Sequence, residues 1–237
     1  MTRRRWIADE VVGDRAALTG AHAAHLSRVL RVQLGQDFDV VCGESVRRGT
    51  VASVTDERVE FALGEEVAAG VAAPITLLLA VFKFDRMEWA IEKCTELNVT
   101  SIVPVIARRT EKHLAAAAEK RVERWRRIAR EASQQSRRVT APAIEGPVKL
   151  AEAINVEAEL RIVLAETEKE AQLSDMLRAR GDATSVALAI GPEGGWTEEE
   201  LQLFERAGWV SASLGATILR AETAAIAALA IARAEMS

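Results

Sequence analysis

The chain has 237 residues, of which 49% are hydrophobic and 28% charged, as is typical of a soluble globular protein with one large or two modest domains. It contains no run of about 18 apolar residues and no secretory signal, which predicts a cytoplasmic protein without a membrane partner. The two cysteines, Cys42 and Cys94, lie far apart and the three histidines lack metal-ligand spacing, so free thiols and no metal are expected.

The net charge of −4 hides a segregated distribution. Residues 108–138, which we name the basic belt, contain eleven Lys or Arg and four Glu, so they carry +7 and the rest of the chain carries −11. Pairs such as Glu123 with Arg127, four residues apart on a helix, account for part of the charge. The remaining excess predicts binding to a phosphate backbone, with a solvated helix face as the alternative.

Residues 1–70 predict a small β-barrel-like domain. Alternating apolar and polar residues predict strands at 38–42, 48–54 and 59–63, and one helix interrupts them at 20–29. The Ala- and Gly-containing stretch 66–73, which ends at Pro74, predicts a linker to a second domain at 74–237.

The second domain alternates strands with helices. Strands are predicted at 75–82, 101–106, 161–165, 185–190 and 209–214, and helices at 85–97, 119–135 and from about residue 222. Asn98 is a plausible left-handed cap for the first of these helices. This alternation predicts an α/β domain with a parallel sheet that binds ligands at the carboxyl ends of its strands.

The tryptophans divide into two groups by their sequence context. Trp89 and Trp125 fall on apolar stripes of predicted helices and Trp209 begins a strand, so all three are expected in the core. Trp6 follows three arginines and is less easily placed in a core, so contact with RNA is a hypothesis for it.

Two loops follow predicted strands and contain glycine. The first, GPEGG at 191–195, is expected to use Gly191, Gly194 and Gly195 for positive φ and close backbone approach, and Thr197 with Glu200 predicts a capping box. It matches neither the phosphate loop nor the dinucleotide fingerprint, and Glu193 would repel a polyphosphate. The ligand is therefore expected to be uncharged or cationic near Glu193, although ordinary glycine turns remain an alternative.

The two loop segments, IGPEGGWTEEE and LGATILRAETAAIAAL, resemble the carboxyl-terminal signature of the RsmE family. This family comprises bacterial 16S ribosomal RNA uridine N3-methyltransferases of the knotted SPOUT superfamily. The resemblance extends upstream to HLSRVLRVQLGQDFDVVCG, EWAIEKCTELNV, PVIARRT and SQQSRR, and so covers nearly the whole chain. In SQQSRR, Gln134 and Arg137 depart from the family pattern, which leaves Gln135 and Arg138 as the better functional candidates.

The resemblance implies an α/β fold with a SPOUT-type knotted parallel sheet, helices on both faces, and an amino-terminal PUA-like RNA-binding β-barrel. Topology rules alone would have favoured an unknotted sheet. The implied cofactor is S-adenosyl-L-methionine, with S-adenosyl-L-homocysteine as product and no metal. The implied partners are 16S ribosomal RNA, within the small ribosomal subunit, and a second copy of the chain. The apolar helix from about residue 222 suits self-association, although its apolar stripe could equally be part of the core of its own chain.

The resemblance also implies functional residues. Those expected to bind the cofactor are Leu164, Glu166, Gly191, Glu193, Gly194, Gly195, Leu214, Gly215, Ile218, Leu219 and Arg220. Uracil N3 must lose a proton, so Arg109, Arg138 and Arg220 are candidates to stabilise the uracil anion. Glu222 either accepts that proton or stabilises a helix dipole. Those expected to bind RNA are Arg3, Arg4, Arg28, Arg31, Arg109, Arg124, Arg127, Arg130, Gln135 and Arg138.

Two other functions remain open from the sequence. One is a SPOUT methyltransferase that acts on another RNA position. The other is a non-catalytic RNA-binding protein of ribosome assembly, in which the glycine loops are only turns.

Overall fold

The computed structural model describes residues 5–43, 45–67 and 73–236. The chain divides into two compact units, residues 1–71 with 134–140 and residues 72–133 with 141–237. Arg3 and Arg4, which were predicted to bind RNA, and residues 68–72 of the predicted linker lie outside the described residues.

The first unit contains a six-stranded sheet in the order β1-β4-β5-β6-β3-β2, in which β1 and β4 pair in parallel and the other neighbours are antiparallel. The three predicted strands are present, and three shorter ones were not individually predicted because they are too short to show a period. The predicted helix at 20–29 is one α-helical turn followed by a π-helical turn at His25–Val29. The elements are β1 (Arg5–Ile7), β2 (Glu10–Val12), β3 (Arg15–Thr19), α1 (Gly20–Ala24), β4 (Asp37–Cys42), β5 (Ser45–Val54) and β6 (Arg58–Glu66).

Trp6 belongs to the core of the first unit, and its predicted contact with RNA is wrong. The Arg137 guanidinium carbon lies 4.2 Å from the centroid of the Trp6 ring, and the His25 ring centroid lies 5.9 Å away. Arg137 Nη1 also donates to the backbone oxygen of Arg5 at 3.1 Å. Because the indole is buried and its face is covered, it cannot stack on a base.

The second unit is built on a seven-stranded parallel sheet in the order β10-β8-β7-β12-β11-β13, with β9 paired to β8. This confirms the α/β class and the parallel sheet. The elements are β7 (Ile75–Ala80), α2 (Phe84–Glu96), β8 (Ser101–Ile106), α3 (Lys112–Ala117), α4 (Val122–Gln135), β9 (Ala143–Ile144), β10 (Val148–Lys149), α5 (Leu150–Ala153), β11 (Leu160–Leu164), α6 (Leu173–Ala179), β12 (Val186–Ile190), α7 (Glu198–Arg206), β13 (Val210–Ala212) and α8 (Ala221–Glu235).

Helices cover both faces of this sheet. Leu77 and Leu79 of β7 belong to one apolar cluster with residues of α2, α4, α6 and α8, whereas Leu78 and Ala80 belong to another with residues of α5 and α7. Every residue of β12 is buried, as expected for a strand covered on both sides. Within the described residues, no helix is long and apolar enough to cross a membrane.

For helix α2, the sequence predicted the residue that ends the helix correctly but predicted the burial of its tryptophan wrongly. Asn98 has a φ of 65°, which confirms the predicted left-handed cap. Trp125 and Trp209 are buried as predicted, but Trp89 is 47% exposed and its predicted core position is wrong. The buried stripe of α2 consists of Met87, Ala90, Ile91 and Cys94, and Trp89, two residues after Met87, lies on another face.

We expect Trp125→Ala to lower the free energy of unfolding by about 3–5 kcal/mol, because it leaves a cavity in the core. The matched variant Trp89→Ala should lower it by less than about 1 kcal/mol, because that ring is half exposed. Urea denaturation of both variants measures the difference. Equal losses would contradict the placement of the two rings.

Candidate ligand-binding site

A cavity of about 810 Å³ lies at the carboxyl ends of β11, β12 and β13, where the sequence predicted a ligand. Its walls are residues 164–169, 190–196 and 212–221, together with side chains from α2, α7, α8 and the loop after β8. All the residues predicted to bind a cofactor line this one cavity: Leu164, Glu166, Gly191, Glu193, Gly194, Gly195, Leu214, Gly215, Ile218, Leu219 and Arg220.

The three glycines of the first loop have different roles. Gly195 has a φ of 71°, and its N–H donates to the Pro192 oxygen at 2.8 Å to close a turn. Gly191 and Gly194 lack the predicted positive φ and are instead constrained by packing. A Cβ at Gly191 would lie 3.2 Å from Trp196 Nε1, and one at Gly194 would lie 3.2 Å from Arg109 Cδ.

Glu200 joins this loop to the one that follows β8. The predicted capping box is confirmed, since Thr197 Oγ1 accepts from Glu200 N at 3.3 Å and Glu200 Oε2 accepts from Thr197 N at 2.9 Å. The other carboxylate oxygen, Oε1, accepts from the Arg108 N–H at 2.8 Å. Because Glu200 is only 3% exposed, these donors are what compensate its burial.

Arg109 also holds the first loop. Its Nη1 donates to the backbone oxygen of Gly194 and lies 3.5 Å from that of Trp196. Arg109 therefore lines the cavity, but part of its hydrogen-bonding capacity is used by the loop.

The second loop, 213–220, is more open than the first. Gly215 has a φ of 115°, and its N–H donates to Ser213 Oγ at 3.2 Å. Ile218 is 79% exposed and Arg220 is exposed as well. An exposed apolar side chain at the rim of a cavity is suited to contact a ligand.

The negative charge of Glu193 is compensated, which the sequence did not predict. Arg86 Nη1 donates to Glu193 Oε1 at 2.6 Å, and Arg86 Nε lies 3.8 Å from Glu222 Oε1. Sequence reasoning missed Arg86, although its position just after β7, at the carboxyl edge of the sheet, was a usable signal. Glu222 is buried, and it does not line the cavity.

The remaining predicted residues lie elsewhere. Gln135 and Arg138 fall in the segment 134–140, which belongs to the first unit, whereas the cavity belongs to the second. In the first unit, Arg28 Nη2 lies 2.9 Å from Asp56 Oδ2, and Arg31 is exposed with a φ of 49°.

The basic belt is partly neutralised within the chain. Arg124 Nε lies 2.7 Å from Glu88 Oε1, and Arg127 Nε lies 3.8 Å from Glu131 Oε1. The predicted pair of Glu123 with Arg127 is wrong, because Glu123 Oε1 instead meets Arg126 Nη1 at 2.6 Å, three residues along. Arg130 is exposed and has no ion-pair partner among the residues that the structure describes.

Both cysteines are free, as predicted. Burial raises the pKa of the Cys94 thiol to about 12, and it also raises the pKa of the half-buried Cys42. Neither is therefore suited to act as a nucleophile. In the described part of the chain, no three His, Cys, Asp or Glu residues form a group that could hold a metal ion.

Comparisons with known proteins agree on one family. The pattern of the RNA methyltransferase domain family matches residues 71–233. Ribosomal RNA small subunit methyltransferase E of Synechocystis is 31% identical over 94% of this chain and 74% of that relative, and the Mycobacterium bovis protein of the same name is 30% identical over 92% and 85%. The crystal structure of the Neisseria gonorrhoeae methyltransferase E bound to S-adenosyl methionine is similar with a TM-score of 0.69 and 29% identity, over 96% of this chain and 95% of that one.

We expect Glu200→Gln to lower the free energy of unfolding by about 1–3 kcal/mol. The two carboxylate oxygens of Glu200 accept from the Arg108 and Thr197 N–H groups, whereas a glutamine amide has one oxygen and one NH₂ group, which cannot accept. The substitution should also speed hydrogen exchange at the Arg108 amide. The matched control is Glu199→Gln, since Glu199 is exposed and its pair with Arg108 contributes little. Urea denaturation and hydrogen exchange test both variants, and equal effects would remove Glu200 as the link between the loops.

Proposed function

The chain belongs to the family of ribosomal RNA small subunit methyltransferase E, and we propose that it transfers a methyl group from S-adenosylmethionine to N3 of a uridine in 16S ribosomal RNA. The observation that carries the proposal is the single cavity lined by every residue expected to bind the cofactor. The Neisseria gonorrhoeae relative is described as bound to S-adenosyl methionine, which supports the same ligand here.

The residues of the cavity suit this cofactor. Its volume of about 810 Å³ is in the range of small-molecule sites. Glycine at 215, with a φ of 115° and nothing within 4 Å of a Cβ built there, leaves the backbone of the second loop open to a ligand. We assign the holding of the cofactor to the backbones of 191–195 and 214–219, with Leu164 and Ile218 as apolar contacts.

The reaction requires alignment and control of one proton. The cofactor supplies a methyl group on a positively charged sulfur, which is already a strong electrophile. Uracil N3 carries a proton that must leave, so a base must accept it or a cation must stabilise the ring anion. We propose Arg220 and Arg109, which both line the cavity and are both exposed, as the cations, and we retain Arg138 as a third candidate. The burial of Glu222 in the first turn of α8 supports a structural role rather than proton acceptance.

The finer features of the fold and assembly are part of the same proposal. We assign residues 1–70 to a PUA-like RNA-binding barrel and 74–237 to a SPOUT domain with a trefoil knot. The assignment of the knot rests on the family resemblance, and the strand order, in which β12 lies between β7 and β11 and β13 lies beyond β11, is compatible with it. We also propose a homodimer, which sedimentation velocity tests, acting in the cytoplasm, where its ribosomal RNA substrate is found.

We expect the purified chain with S-adenosylmethionine to form 3-methyluridine in 16S RNA of small subunits taken from a strain that lacks this modification. Nucleoside mass spectrometry measures the product. The control variant is Gly215→Val, which should fold but lose cofactor binding, because a β-branched residue is strained at a φ of 115° and its side chain enters the open space. A different methylated nucleoside would indicate another RNA position, and no methylation at all would indicate a non-catalytic RNA-binding protein.

The basic belt is proposed to contact the RNA backbone. Arg124, Arg127 and Arg130 lie along α4 and are proposed phosphate contacts. Arg28 and Arg31 are separate proposed contacts of the first unit. Since Glu88 already pairs with Arg124, this arginine must exchange partners to bind a phosphate. Arg130 needs no such exchange within the described chain.

We expect Arg130→Gln to reduce the salt dependence of RNA binding by about one unit of slope, since one phosphate contact is lost. Arg124→Gln should reduce it by less, because Glu88 neutralises part of its charge. RNA titrations over a series of salt concentrations measure the slopes. Arg178→Gln is the control, because it removes one positive charge outside the belt. A wild-type slope in the Arg130 variant would show that the belt is a solvated helix face.

A further inference from the structure

Arg86 connects three separate parts of the cavity wall. It lies in the first turn of α2, and its side chain lines the cavity. Its guanidinium meets Glu193, in the loop after β12, at 2.6 Å and Glu222, in the first turn of α8, at 3.8 Å. The sequence did not indicate this role for Arg86, because its partners lie more than a hundred positions away along the chain.

The charges in this cluster do not balance. One guanidinium faces two carboxylates, and the Glu222 side chain is only 6% exposed. Glu222 Oε2 is buried and has no hydrogen-bond partner in the part of the chain that the structure describes, so Glu222 depends on Arg86 for compensation. The planar guanidinium has donors pointing in different directions, which lets it serve both acids, whereas a lysine ammonium is a single point charge.

The two acids belong to the two glycine loops. Glu193 lies in the first loop, and Glu222 lies two residues after the second loop, in the first turn of α8. Arg86 therefore holds the middle of the first loop and the chain just after the second loop against the same point of α2. Most of the residues expected to hold the cofactor lie on these two loops. The distance between the loops therefore sets the width of the cavity.

We propose that Arg86 is a positioning residue for cofactor binding, which acts by tying the 191–195 loop and the start of α8 together through Glu193 and Glu222. The inference rests on the proposed function, because it takes the ligand of the cavity to be S-adenosylmethionine. Holding the loops in the bound arrangement lowers the cost of ordering them when the cofactor binds.

The test is a double-mutant cycle in the full-length protein, with the dissociation constant of S-adenosylhomocysteine measured by titration calorimetry. Arg86→Gln should weaken binding by about tenfold or more, and Glu193→Gln should weaken it less. The double variant Arg86→Gln/Glu193→Gln should bind no more weakly than Arg86→Gln alone, because both changes break the same tie. Arg86→Lys should restore part of the affinity.

Two controls separate the tie from a loss of folding. Arg86→Gln/Glu222→Gln removes the buried charge that the single variant leaves uncompensated, and it should fold as the wild type does while still binding weakly. Arg178→Gln breaks an Arg–carboxylate pair of 2.8 Å at the other end of α8, with Glu235, and should leave the affinity unchanged.

Kinetics give a second measurement. At saturating cofactor the single-turnover rate of Arg86→Gln should approach that of the wild type, while the KM for the cofactor rises, because the residue orders the site and does not touch the reacting atoms. Unchanged affinity in Arg86→Gln, or additive losses in the cycle with Glu193, would overturn the inference. Failure of the wild type to bind S-adenosylhomocysteine would instead overturn the proposed function.

Discussion

The parallel pairing of β12 with β7 on one side and β11 on the other is the constraint on which the second unit depends. Because neighbouring strands run in one direction, their carboxyl ends meet at one edge, and both glycine loops begin there. The pairing also buries β12 completely, so alternate side chains of the sheet fill two separate cores. The loops that line the cavity are therefore anchored to a strand that cannot move without disturbing both cores.

The first loop is held by side chains from its neighbours more than by its own turn. Arg86 binds it through the Glu193 carboxylate, Arg109 through the Gly194 oxygen, and Glu200 fixes its end to the backbone of Arg108. These three side chains come from α2, from the loop after β8 and from α7, which all lie at the same edge of the sheet. A loop fixed from several directions is already ordered before a ligand arrives, which reduces the entropy lost on binding.

Local sequence patterns predicted those structural features that depend only on residues close together in the chain. The strand ending at Ile190, the capping box of Thr197 with Glu200 and the left-handed Asn98 follow from period, turn and cap chemistry within a few positions. The pairing of Arg86 with Glu193 spans over a hundred positions, and local patterns carry no information about it. Trp89 was misplaced for a related reason, since aromatic character in an amphipathic helix does not say which face is buried.

The cofactor residues were predictable as a set because the resemblance assigned them one by one, and the structure gathers them at one cavity. Their local geometry was not predictable. Gly191 and Gly194 have no positive φ, but a Cβ there would crowd the side chains of Trp196 and Arg109, and this crowding exists only after the loop has folded. The belt was overestimated because Glu88, on another helix, neutralises part of it.

The contact of Gly191 with Trp196 has an evolutionary consequence. A methyl group at 191 would lie 3.2 Å from the indole nitrogen, so the indole would have to retreat. Its retreat is blocked by Phe204, whose ring centroid lies 5.0 Å away, and Phe204 in turn packs at 5.1 Å against Trp209. These four positions should therefore diverge as a group, so that homologues with a larger residue at 191 carry a compensating smaller ring further along the row.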